Sequence, residues 1–140
     1  MSSEIKKTIL HTDGGARGNP GPGAIAAVLR DHKENLIKKD GRYIGTSTNN
    51  EAEYQALILG IETAVSSGIK KLTCKMDSEL VVKQLNGLYK VKAARIMGFF
   101  KKVKELEKHF DEITYKHIPR TENKEADTLV NEILDSSLSI

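Results

Sequence analysis

Four acidic residues stand where the backbone pattern changes: Asp13 before Gly14-Gly15, Asp77 after an alternating run, and Glu53 and Asp127 early in two helical stretches. Singly, three of them have ordinary uses. Asp13 suits a turn, Asp77 a helix cap ahead of Ser78, and Asp127 the positive end of a helix dipole. Glu53 does not fit such a use, because Leu57, Gly60, Ile61 and Ala64 follow it at helical spacing. Its carboxylate therefore projects from the stripe that faces a core, where a charge is costly without a positive partner. If the strands ending at Asp13 and Asp77 are parallel neighbours, both acids emerge at one sheet edge, where open α/β sheets form their ligand crevice. Carboxylates gathered there repel one another, and hard divalent cations with oxygen ligands are the usual remedy, magnesium fitting best. Two such ions about 4 Å apart activate a water and stabilise a leaving oxygen in phosphodiester cleavage. The pattern predicts a nuclease or phosphotransferase that needs no serine, cysteine or histidine nucleophile.

The elements that must position these acids follow from periodicity. Residues 7–13 alternate as a strand that glycines stop, and 24–30 with 35–43 read as a hairpin. Thr48-Asn49-Asn50-Glu51 has the form of a capping box, opening a helix to about Val65. Residues 71–76 form a short strand, 78–85 a helix broken by Asn86-Gly87, and Ile96, Phe99, Phe100, Val103 and Leu106 one stripe of another helix. Ile113, Tyr115 and His117 alternate in a last strand that Pro119 breaks. Asn123 is expected to cap a final helix with Ala126, Leu129, Val130 and Ile133 inward, and the tail from Ser136 to Ile140 to fray. The order βββαβααβα predicts an α/β domain, a mixed sheet covered by helices, occupying residues 1–140 as a single unit.

Composition agrees with a globular protein: 39% of the 140 residues are hydrophobic and 29% charged. No run approaches the roughly 18 apolar residues of a membrane helix, and the start has no long apolar h-region. One cysteine, Cys74, can form neither an internal disulfide nor a cysteine-based zinc site, so the expected location is the cytoplasm. Net charge is only +3, but residues 88–108 carry +5, leaving −2 elsewhere. A basic segment beside an acidic body suits a polyanion on one face, although a lysine-rich solvated helix would look the same.

The glycine- and proline-rich loop at 14–23 lets backbone approach a ligand closely, yet it is neither a Walker loop nor a dinucleotide fingerprint. Asn49 and Asn50 have side chains able to bond sugar hydroxyls or base edges in a minor groove. His11, His32 and His109 read as strand, turn and helix-surface residues, and Cys74 as a buried small apolar one.

Taken in order, Asp13-Gly14-Gly15-Ala16-Arg17-Gly18-Asn19-Pro20-Gly21-Pro22-Gly23, Thr48-Asn49-Asn50-Glu51-Ala52-Glu53, Asp77-Ser78-Glu79 and Asn123-Lys124-Glu125-Ala126-Asp127 resemble the four signature blocks of type 1 ribonuclease H. The resemblance implies a ribonuclease H-like fold, with a five-stranded mixed sheet whose first three strands are antiparallel. It also implies hydrolysis of the RNA strand of RNA/DNA hybrids, leaving 5′-phosphate and 3′-hydroxyl ends. By motif position, Asp13, Glu53, Asp77 and Asp127 match the family's catalytic metal ligands, which take two Mg²⁺ ions with Mn²⁺ as a substitute. Asn19, Asn49 and Asn50 match contacts to the hybrid's minor groove and 2′-hydroxyls, and Thr48 matches a DNA-phosphate contact.

Three departures stand out. Glu79 occupies a substrate-contact position where many relatives have glutamine, and its charge would repel a nearby phosphate. His117 has the offset of a mobile catalytic histidine, but it falls at a strand end, with Arg120 as the alternative. No tryptophan-rich basic protrusion is present, so residues 88–95 are the one candidate handle. Rival readings keep the scaffold and change what it does, to cleavage of double-stranded RNA, strand transfer, or binding of nucleic acid without catalysis. The expected protein is a monomer that takes an RNA/DNA hybrid and has no membrane partner.

Overall fold

A computed structural model describes residues 7–138. Its first strand, β1 (Thr8–Ala16), continues past Asp13 through both glycines, where the sequence pattern stops. The neighbouring strand is the reason. β2 (Gly21–Arg30) pairs antiparallel with β1 along this length, setting Asp13 opposite Ala26 and Ala16 opposite Gly23. Ladder hydrogen bonds come from backbone alone, so glycines can remain in the strand. β3 (Leu36–Ser47) pairs antiparallel with β2, and this hairpin is longer than expected at the end away from its turn.

Thr48 caps α1 (Asn49–Ser66) through the reciprocal bonds expected of it. The Glu51 amide donates to Thr48 Oγ1 at 3.2 Å, and the Thr48 amide donates to Glu51 Oε1 at 3.0 Å. There follow β4 (Lys71–Met76), α2 (Glu79–Leu85), α3 (Ala94–Glu107), β5 (Glu112–His117) and α4 (Lys124–Leu138). The sheet order is β3-β2-β1-β4-β5, with β4 parallel to both β1 and β5. This is the mixed five-stranded sheet expected, and it makes β1, with Asp13, the central strand.

Helices cover both faces. On β2, Ile25, Ala27 and Leu29 enter a larger core with α1, α2 and α3, while Ala24, Ala26 and Val28 pack on Ala126, Val130 and Leu134 of α4. That alternation is the two-residue period of a strand buried on both sides. Ile96, Val103 and Leu106 of α3 are buried, with Phe99 and Phe100 partly so, as their stripe predicts. Cys74 is fully buried and burial pushes its thiol up, consistent with a packing role.

Three local expectations change. Ser78, not Asp77, caps α2, its hydroxyl accepting from the Val81 amide at 3.4 Å. Asn123 precedes α4, but its side chain turns away from the helix: Nδ2 donates to the Thr12 carbonyl at 2.8 Å and buried Oδ1 has no partner. It ties α4 to β1 instead of capping. The expected frayed tail is helical through Leu138, and Ser139 and Ile140 lie outside the described residues.

Candidate active site

Each acid reaches the same place by a different route. Asp13 projects from within β1, Asp77 lies just past the end of β4, Glu53 starts the second turn of α1, and Asp127 sits in the first turn of α4. Carboxylate oxygens of Asp13, Glu53 and Asp77 all lie within 4.8 Å of one another. Asp127 stands against Asp13 but outside this trio, and all four line one open cleft of about 390 Å³.

The placement of Glu53 is set by backbone. Its Oε1 accepts from the Gly14 amide at 2.8 Å, next to Asp13 in the chain. A Cβ at Gly14 would collide with the backbone of Ala52 and Glu53, so only glycine lets the start of α1 lie directly on β1. The motif's Gly14 thus sets the spacing between two acids.

Crowding shifts their ionisation. Burial raises the Asp13 carboxyl from 3.8 to about 7, aided by the charges of Asp77 and Asp127. Glu53 is raised well above its ordinary value by burial and then by Asp13 and Asp77, against the opposing Gly14 bond. Asp77 is raised mainly by burial, with Arg120 opposing. Such a group cannot hold its full negative charge without added positive charge. The three converging donors are all carboxylate oxygens, a set that fits a hard divalent cation and lacks the nitrogen or sulfur favoured by softer metals.

Arg120 belongs to a 3-10 turn, Arg120–Glu122, that the sequence pattern did not suggest. It lines the cleft, and its Nη2 donates to Asp127 Oδ1 at 3.0 Å. His117 ends β5 opposite Met76, is exposed and does not line the cleft, although its charge is felt at Asp77. Of the two alternatives, Arg120 is the one in the cleft.

The polar rim is stitched together. The Asn49 amide donates to Asn19 Oδ1 at 3.0 Å, and Asn49 Oδ1 accepts from the Ala16 amide at 2.9 Å. Asn19, Thr48, Asn49 and Asn50 line an adjoining groove of about 630 Å³, with Arg95 across it. The Thr48 hydroxyl is already engaged in its cap, and Arg95 Nε reaches Glu51 Oε2 at 2.6 Å. Glu79 lines neither space. It is exposed and paired with Lys83 at 3.3 Å, one helical turn on. Residues 88–93 form a short connection between α2 and α3, with Leu88 and Tyr89 exposed.

Two polar cleft residues had no role of their own assigned from the sequence. Asn131 lies one turn beyond Asp127 and its Nδ2 approaches Asp127 Oδ1 at 3.4 Å. Its four-residue offset from Asp127 was the available signal. Arg17, within the glycine-rich loop, also reaches Asn131, a contact between residues 114 apart that no local pattern announces.

Residues 11–133 match the reverse transcriptase-like family. Ribonuclease HI of Halobacterium salinarum is 39% identical over 125 residues, covering 89% of this chain and 63% of the relative. A bifunctional protein of Mycobacterium tuberculosis is 38% identical over 133 residues, 94% of this chain and 36% of the relative. This chain thus spans about a third of the mycobacterial relatives it matches and under two thirds of the Halobacterium protein. The crystal structure of RNase H1 from Halobacterium salinarum superposes with a TM-score of 0.90 at 38% identity, covering 93% of this chain and 98% of that one. LC11-RNase H1, solved in complex with an RNA/DNA hybrid and isolated from compost by a metagenomic approach, gives 0.91 at 43% identity, covering 95% and 100%. With the carboxylates in one cleft, the sheet order and these similarities in agreement, the chain belongs to the type 1 ribonuclease H family.

Proposed function

We propose that residues 1–140 act as one catalytic domain, an endonuclease that hydrolyses the RNA strand of RNA/DNA hybrids and leaves 5′-phosphate and 3′-hydroxyl ends. The observation that carries this reading is the trio Asp13, Glu53 and Asp77 with its oxygens within 4.8 Å, beside an asparagine-lined groove. A relative that covers nearly the whole chain was crystallised on such a hybrid, which supports the choice of substrate.

Asp13, Glu53 and Asp77, whose oxygens converge, together with Asp127 beside them, would hold two Mg²⁺ ions; Mn²⁺ is the proposed substitute. When bound, the pair supplies an activated water and a stabilised leaving oxygen. The protein's own contribution is orientation. The Gly14 amide fixes the Glu53 carboxylate, Asn131 and Arg120 hold one oxygen of Asp127, and Asn19, Asn49 and Asn50 present polar groups to a minor groove whose 2′-hydroxyls distinguish RNA. Thr48 serves this rim chiefly by fixing the start of α1. Arg120, and not His117, is proposed to act beside the departing product. Glu79 is assigned no direct contact. The domain is proposed to work as a monomer in the cytoplasm.

The test compares labelled RNA/DNA hybrid, double-stranded RNA and duplex DNA with Mg²⁺, with Mn²⁺ and with EDTA. Internal cleavage of the RNA in the hybrid, dependent on either metal, is expected. Preference for double-stranded RNA would replace the substrate, and hybrid binding without turnover in either metal would refute the enzyme reading.

A further inference from the structure

A cleft lined by four acids repels the phosphates it must receive, so the positive groups on its walls matter. Among the described residues lining it, only Arg17 and Arg120 are cationic. Arg120 is paired with Asp127, itself one of the four acids. Arg17 is differently placed, with its guanidinium against Asn131 and Asp135 of α4.

Its backbone is held firmly. The Arg17 amide donates to the Pro22 carbonyl at 2.8 Å, the Ala16 amide is bound by Asn49, and a Cβ at Gly21 would collide with the Arg17 carbonyl. The side chain is held at its tip, where Nη2 reaches Asp135 Oδ1 at 2.7 Å, Asn131 Oδ1 at 3.4 Å and the Asn131 carbonyl at 3.5 Å. Asp135 is 69% exposed, and an ion pair so solvated holds its arginine weakly. Asn131 also touches Asp127, so a single side chain separates this guanidinium from the catalytic acids.

We infer that Arg17 is a substrate-positioning residue, whose guanidinium takes a phosphodiester of the cleaved strand next to the one held at the carboxylates. Asp135 and Asn131 keep it aimed along the cleft until that phosphate arrives. The fork geometry and permanent charge of arginine suit this contact, and backbone phosphates are where nucleic-acid binding gains most of its register. The assignment rests on the hybrid-cleaving function proposed above.

The experiment measures kcat and KM on a labelled hybrid at fixed Mg²⁺ over a series of KCl concentrations, with melting temperatures alongside, for the wild type, Arg17→Ala, Arg17→Lys and Asp135→Ala. Losing one charged hydrogen bond should raise KM for Arg17→Ala about tenfold with little change in kcat. The slope of log kcat/KM against log salt should become shallower by about 0.9, the signature of one lost phosphate contact. Arg17→Lys should keep the wild-type slope, and Asp135→Ala should bind at least as tightly as wild type. An arginine that merely straps the loop to α4 gives the opposite pattern: Asp135→Ala then weakens KM and stability as Arg17→Ala does, and the salt slope does not move. That result overturns the inference while wild-type cleavage stands. Wild type that cuts no hybrid at all refutes the function itself.

Discussion

Replacing Asp13 by asparagine should make the metal-free protein more stable, while Mg²⁺ should stabilise only the wild type strongly. In the folded chain the Asp13 carboxyl is raised from 3.8 to about 7. A raised folded value means that stability is greatest with the proton on, below pH 3.8, and is lost as pH rises through about 7. At about 1.4 kcal/mol per unit, the full cost above pH 7 is about 4 kcal/mol, and roughly 2.5 kcal/mol of it accumulates between about pH 5 and pH 8. Asparagine has nearly the shape of the protonated acid and no charge to desolvate. In EDTA, the advantage of Asp13→Asn over wild type should therefore grow by about 2.5 kcal/mol between about pH 5 and pH 8, about 10 °C in melting temperature for a domain of this size. Added Mg²⁺ should close the gap by binding the folded wild type. Cleavage by the variant should be abolished. Parallel melting curves for the two proteins across this pH range in EDTA would refute the electrostatic account of the site.

Gly14→Ala should push α1 off β1, because the added methyl meets backbone that cannot rotate aside. Cleavage is expected to fall at least tenfold with a lowered urea midpoint, and wild-type kinetics would show that the Asp13–Glu53 spacing is set elsewhere. Tyr115→Phe removes the 2.6 Å bond from the Tyr115 hydroxyl to Glu107, which also holds Lys104. About 1–2 kcal/mol of stability should be lost in urea melts, with hybrid cleavage unchanged, since none of these groups lines the cleft.

Local chemistry made much of the architecture readable. Thr48 and Glu51 announce a helix start because a cap acts over three residues, and the six residues of β4 alternate because both faces of that strand are in different surroundings. Asp13 and Asp77 could be paired in advance because a parallel β1 and β4 bring their carboxyl ends together. What depends on distant backbone was hidden. The extension of β1 beyond Asp13 comes from pairing with β2, and Asn123 abandons its cap for the Thr12 carbonyl, 111 residues away. For the same reason the motif positions of Glu79 and His117 did not reveal that neither lines the cleft: Glu79 turns to Lys83, and His117 remains on β5 while Arg120 swings to Asp127. The resemblance supplied the proposed substrate, which spacing of acids alone leaves open.

Asn49 joins the start of α1 to residues 30 and 33 positions earlier, with its amide bound to Asn19 and its side chain to Ala16. Neither the glycine-rich loop nor the start of α1 can therefore be exchanged by itself. A graft that brings in a different loop, while leaving the host's helix start in place, strands one donor and one acceptor at the mouth of the cleft. Loop and helix start form one transferable unit, and chimaeras that respect that seam should keep activity where finer swaps lose it.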